Sequence, residues 1–256
     1  MKTEIYSANK VAEITLLFWL MKIVATTLGE TLGDYLSMTL NLGYLTGILI
    51  TAGFFLTVLT VQLIAKSYQP IFYWLVIIST TTLGTEISDF MDRSLQLGYT
   101  WGSLILFGAL LLTLVIWYIK FRTLAVYPII DRKKEMFYWT AILFSNSLGT
   151  AFGDFLSDNL GFSYLQGALI TASIILIVYL LHQFTNLNQI FLFWIAFVFT
   201  RPFGATFGDF LTKPVSKGGL DLGTNNASLV SLLLISVMII ISSRKQKSIG
   251  QSKNLK

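Results

Sequence analysis

The chain has 256 residues, 54% of them hydrophobic and 12% charged, with 18 lysines and arginines against 13 acids, one histidine and no cysteine. A soluble domain carries about a quarter charged residues, so this composition excludes an ordinary soluble fold. The missing cysteines exclude disulfides and thiolate metal sites, and the excess of +5 falls along the chain in a pattern of membrane topology, not of nucleic-acid binding.

Taken in order, eight apolar segments run at roughly 12–33, 43–65, 71–91, 98–120, 137–157, 163–183, 190–211 and 219–243. Segments near 20 residues can cross a hydrocarbon core ~30 Å thick. The expected fold is therefore an all-α integral membrane protein with eight transmembrane helices. The first segment runs into acid-bearing sequence with no small-residue cleavage pattern, so it reads as a retained helix. Residues 1–243 read as one transmembrane domain with a connector at 122–135 and a basic tail at 244–256. An even number of spans puts both termini on one side. That side collects 13 lysines and arginines, among them Lys10, Lys120, Arg122 and the tail, against Arg93, Lys213 and Lys217 opposite. The positive-inside rule makes it the cytoplasmic side of a bacterial inner membrane.

The segments repeat. Phe18-Trp19 recurs as Tyr73-Trp74, Tyr138-Trp139 and Phe193-Trp194, and 15 residues after each Trp stands Asp34, Asp89, Asp154 or Asp209. Gly29, Gly84, Gly149 and Gly204 share one position; Gly33, Gly153 and Gly208 share another, where the second repeat has Ser88. Gly47, Gly102, Gly167 and Gly223 read as a further common position, with one residue inserted in the last repeat. The units span about 11–66, 67–121, 136–184 and 190–243, with aspartates spaced 55, 65 and 55 apart. Two-helix units insert in one orientation, related by a pseudo-two-fold axis (1+2 against 3+4) or a pseudo-four-fold axis along the membrane normal.

These residues resemble a family of uncharacterised bacterial membrane-anchored proteins, built of four tandem two-helix repeats with a Trp and a Gly-x-x-x-Gly-Asp phrase. The resemblance covers about 11–243 and implies the eight-helix architecture. It brings no catalytic residue with it.

Function is read from the acids. Helix rise puts each Asp ~22 Å beyond its Trp, in the outer half of the membrane if the tryptophans anchor at the cytoplasmic interface. Each charged Asp there costs roughly 2.5–3.5 kcal/mol, so water, protonation, pairing or a bound cation must offset it. Glu30 lies one turn before Asp34, and Glu86 lies i,i+3 to Asp89. Arg201 stands where the other repeats have Thr26, Thr81 and Asn146, and at that depth it needs an anionic partner for charge balance. Carboxylates with Thr26, Thr27, Thr81 and Thr82 suit hard cations; Met38 and Met91 tilt the choice toward manganese. The expectation is a transporter of a small hard cation such as manganese or magnesium, proton-coupled or not, with Asp34, Asp89, Asp154 and Asp209 as metal ligands and Glu30 and Glu86 as auxiliary groups. The cation is cargo, no resident cofactor is expected, the partners are the bilayer and the cation with no nucleic acid, and oligomeric state stays open. The glycines read as helix-packing positions.

Other readings stand beside it. Each Asp could N-cap a short second helix such as Tyr35–Leu40 after Gly33. A cation channel, a membrane-embedded metal-dependent enzyme and a scaffold are the alternatives. No nucleophile elbow, HExxH or phosphate loop is present, so an enzyme is not expected. Lys22 reads as snorkelling to the cytoplasmic surface, His182 has no assigned role, and Asn225 and Asn226 line an outer vestibule or simply pack.

Overall fold

Local signals start most of the helices. Thr15 Oγ1 accepts from Phe18 N and opens α1, Leu16–Asp34. Helix α2 is Tyr44–Ile64, and α3, Pro70–Asp89, starts on a proline whose missing N–H costs nothing at a first turn. Helix α4 is Gly98–Phe121; Asp131 caps α5, Arg132–Asp154; a Ser163–Gln166 capping box opens α6, Tyr164–Phe184. Asn188 caps α7, Gln189–Thr212, and α8 is Gly223–Asn254. The computed structural model describes residues 8–254, with side chains through Arg244; among them there are eight α-helices and no strand. Helix α8 runs on past its apolar span through the basic tail as far as Asn254; residues 255–256 lie outside the described part.

Seven helices are long and apolar enough to cross a membrane. The exception is α5, which carries Arg132–Glu135 at its start and Ser145–Ser147 in its middle. Packing explains why that composition is tolerated. Helices α1, α3, α5 and α7 each pack against the next, and α7 returns to α1, closing a ring. Each even helix lies outside, against the odd helix of the following repeat: α2 on α3, α4 on α5, α6 on α7, and α8 back on α1. The apolar windows of the outer helices are only 22–28% buried, against 56–78% for α1, α3 and α7. Inner helices can therefore carry polar residues that outer ones cannot.

Glycine sets the closeness of the ring. A Cβ added at Gly29 would run into Thr81, at Gly84 into Asn146 and Ser147, at Gly149 into Arg201, and at Gly204 into Thr26. Each repeat thus presses its glycine against the same position of the next, which places four equivalent helices side by side at one level.

The aspartates do not N-cap. After Asp34, Asp89 and Asp154 the helix continues as a π-turn, Tyr35–Thr39, Phe90–Ser94 and Phe155–Asn159, with no side-chain cap bond. In the fourth repeat α7 ends at Thr212 and Lys213 turns extended. The inter-helix turns then use left-handed residues at Asn41, Gln96, Gly161 and Asp221. This corrects the alignment of the last repeat. Gly223 (φ 72°) matches Gly43 (74°) and Gly98 (71°), not Gly47. The true counterpart of Gly47 is Ala227, 18 residues after Asp209 where Gly47 is 13 after Asp34, so five residues are inserted.

The tryptophans are also corrected. Trp74 and Trp139 are 1% exposed and Trp194 6%, so they are not anchors facing an interface. Their helices form the inner ring, and the rings pack inside it: Phe18 against Trp74 and Phe193, Tyr73 against Trp139.

Gly29→Ala and Gly204→Ala should each destabilise the purified protein by about 1–3 kcal/mol, the usual cost of overpacking. Gly53→Ala, which meets nothing within 4 Å, should not. Equal melting temperatures in detergent for all three would contradict the ring contacts.

Candidate functional site

All four aspartates are buried at one end of the ring, and two basic residues hold them in two pairs. Arg93 Nη2 lies 3.1 Å from Asp154 Oδ2 and Nη1 3.5 Å from Asp89 Oδ2. Its remaining donors go to the Tyr99 hydroxyl (3.1 Å) and the Tyr44 hydroxyl (3.0 Å). On the other side, Lys213 Nζ donates to Asp34 Oδ2 at 2.6 Å and makes an ion-pair contact with Asp209 Oδ1 at 3.1 Å. That second contact lacks hydrogen-bond geometry, so Asp209 Oδ1 remains without a donor. Each cation joins two repeats, the second to the third and the fourth to the first. Lys213 lies just past the end of α7. Burial works against its charge, but Asp209 and Asp34 outweigh burial and raise its pKa above the ordinary lysine value. Its contribution to stability is thus complete below the unfolded value of ~10.4 and is lost only as pH rises through the folded one.

In the charge pattern both cations count only toward topology, yet their spacing carries a further signal. Arg93 and Lys213 each stand four residues after their Asp, in the second and fourth repeats, where the others have Met38 and Asp158.

One turn deeper, Arg201 is fully buried. Its Nη2 donates to Glu30 Oε2 (2.8 Å), Thr85 Oγ1 (2.6 Å) and Thr150 Oγ1 (2.6 Å), touching all three other inner helices. Its Nε and Nη1 have no hydrogen-bond partner. The expected anionic partner of Arg201 is thus Glu30. One carboxylate oxygen each from Glu30, Asp34 and Asp209 lies within 4.8 Å of the others. Oxygens facing each other across a cation at 2.0–2.6 Å stand roughly 4–5 Å apart, so this trio has the span of a hard-cation seat. Asp89 and Asp154 belong to the Arg93 half, outside that trio. Glu86 is not on the axis: it fills the notch at Gly47 of α2, with neither oxygen hydrogen-bonded.

Below Arg201, Lys22 is fully buried and donates to Asn146 Oδ1 at 3.0 Å. It does not snorkel, because α1 is an inner helix and this face looks into the ring. The tryptophan end is closed. The Tyr73 and Tyr138 hydroxyls meet between the adjacent helices α3 and α5, and residues 9–11 cross the connector, with Lys10 N donating to Ile129 O at 2.9 Å. Lys10, expected as a loop charge, is buried in an ion pair with Glu135, and Gln62 Nε2 donates to both Lys10 O (2.8 Å) and Glu135 Oε1 (3.0 Å). His182 lies exposed near Gln189, and Asn226, also exposed, donates back to Leu222 O.

Breaking a buried pair strands its partner. Arg201→Met should destabilise by about 3–5 kcal/mol. The double change Glu30→Gln/Arg201→Met should fall short of the summed single losses by more than about 1 kcal/mol. Simple additivity in detergent unfolding would show that the two do not act as a pair.

Four stretches of the chain, 17–68, 72–123, 137–187 and 192–248, match one family, described as Repeat of Unknown Function (DUF347). No curated protein and no solved structure matches. The matched stretches fall on the four helix pairs α1–α2, α3–α4, α5–α6 and α7–α8 and together cover most of the sequence, so the chain belongs to the Repeat of Unknown Function (DUF347) family.

Proposed function

We propose that this protein is a membrane transporter of a small hard cation, with a divalent metal such as manganese or magnesium as cargo. All eight helices cross the bilayer as one domain in this reading, α5 included, because the other helices shield its polar middle from lipid. The aspartate end faces outward and the tryptophan end, with both termini, faces the cytoplasm of a bacterial inner membrane. The observation that carries the proposal is the trio of Glu30, Asp34 and Asp209, contributed by two adjacent inner helices and spaced for one cation.

In this closed arrangement the Lys213 ammonium sits where cargo would. Its side chain is 22% exposed and leaves from the end of a helix, so it can swing into water as an arriving cation takes its oxygens. Arg93, 30% exposed, would release Asp89 and Asp154 in the same way. The cargo thus exchanges with a tethered cation, and the carboxylates never face the low-dielectric interior uncompensated. Carboxylate and hydroxyl oxygens select hard ions. A passive cation channel is less well supported, since the fully buried Arg201 guanidinium, in contact with the other three inner helices, stands as a barrier to a cation. A scaffold would not require ligand atoms at this spacing.

The test is Mn2+ entry into proteoliposomes that enclose a quenchable dye. Asp34→Asn should reduce flux by roughly tenfold, the factor that 1.4 kcal/mol of lost binding gives, and Asp154→Asn by less. Lys213→Met should lower the Mn2+ concentration for half-maximal flux. Unchanged flux in both aspartate variants would remove the reading.

A further inference from the structure

Among the described residues, Lys22 is the one buried cation on the inner helices for which the acidic end supplies no partner. It lies twelve residues before Asp34 on α1, about 18 Å along the axis. Nζ donates to Asn146 Oδ1 at 3.0 Å and stands 4.1 Å from the centre of the Phe197 ring. Asn146 Nδ2 donates to Thr80 Oγ1 at 3.0 Å. That bond fixes the amide, so its oxygen and not its nitrogen faces Lys22. Among the described residues no carboxylate oxygen comes within 4 Å of Lys22.

From α7 comes Arg201, of the same sign, one turn nearer the aspartates by repeat position. From α3 come Thr80 and, one turn toward the tryptophan end, Tyr73; from α5 come Asn146 and, likewise one turn away, Tyr138, with Glu135 beyond it already held by Lys10. Helix α8 carries no titratable side chain between Gly223 and Ser243. On α1 itself the nearest acid is Glu30, eight residues on, taken by Arg201. Among the described residues an ammonium here finds an oxygen partner for one of its three N–H groups, in a fully buried site, beside a guanidinium. A neutral amine needs only the bond that Asn146 accepts.

Resting on the cation reading above, we propose that Lys22 carries the coupling proton. Nζ is an amine while a cation, either cargo or the Lys213 ammonium, is seated among the acids, and takes up one proton, as an ammonium, when the trio is vacated by both and its negative charge is felt along the axis. It gives that proton back to water when a cation enters the trio. One proton is bound and one released per cycle, so cation and proton move in opposite directions. Phe197 and the Asn146 amide oxygen are the groups that receive the charged form.

Two measurements test this, and they fail separately. The first is NMR of 15N,13C-lysine-labelled protein in nanodiscs, with Lys22 assigned from its loss in Lys22→Met. Its signal should be that of an amine at pH 8 without metal and convert to an ammonium on acidification; an ammonium throughout pH 5–10 would overturn the proposal even if transport is intact. The second is proteoliposomes enclosing a pH-sensitive dye under a Mn2+ gradient. Lys22→Met is close in volume and removes a buried amine, so it should remain monodisperse and bind Mn2+ like wild type, yet lose Mn2+-driven proton movement at least tenfold. Lys22→Gln serves as the second variant. Full coupling in both variants would overturn the assignment. A Lys22 that titrates in a wild-type protein moving no Mn2+ would support the proton site and sink the cation reading.

Discussion

A carboxylate withdrawn from water needs a positive charge or a proton beside it, and this chain withdraws several at once. Everything else about the ring follows from how that need is met. Arg93 reaches acids of the second and third repeats, and Lys213 reaches acids of the fourth and first. Such bridging works only if neighbouring helices stand close. The close approach comes from Gly29, Gly84, Gly149 and Gly204, where the next repeat fills the space that a Cβ would need. The glycines and the ion pairs are therefore one device: without close packing, a single side chain could not serve two aspartates. Surrounding each inner helix with apolar outer helices completes it, by allowing polar residues at Lys22, Asn146 and Thr80 that lipid would not tolerate.

Backbone and charge have different symmetry. The glycine contacts repeat four times around the ring, while the cations repeat twice, in the second and fourth units. The 55, 65, 55 spacing marks the same division. Arg201 and Glu30 break even the two-fold pattern, since their repeat counterparts are Thr26, Thr81 and Asn146 in one case and Thr85, Thr150 and Ala205 in the other. A single trio of oxygens therefore lies on one side of the axis, between α1 and α7, where a symmetric ring would offer four equal seats. The asymmetry suits a carrier, in which one seat is loaded and emptied.

Much of this was legible. Helix positions, the four-fold phrase and the need of Arg201 for an anion all follow from spacing and from the cost of charge in a bilayer. What was not legible depends on which side of each helix faces inward. The tryptophans at the helix ends read as interfacial anchors, but Trp74, Trp139 and Trp194 turn into the ring's core, and only Trp19 stays half-buried. Lys22 read as a snorkelling side chain for the same reason. Glu86 and Glu30 are both within a turn of an Asp, yet Glu86, three residues before its Asp, meets α2, and Glu30, four before, meets Arg201; that difference of one residue rotates the side chain by ~100°. Lys213, like Arg93, stands four residues past its Asp, but only the closed ring shows that each reaches an acid of the neighbouring repeat; the five-residue insertion that follows Lys213 shows only when the turn at Asp221 is superposed on Asn41 and Gln96.

The most direct test of the account is a structure of the protein in nanodiscs determined with millimolar Mn2+. The account predicts ion density among Glu30, Asp34 and Asp209, with the Lys213 side chain withdrawn toward solvent. Lys213 still seated between Asp34 and Asp209, with no density in the trio, would contradict it.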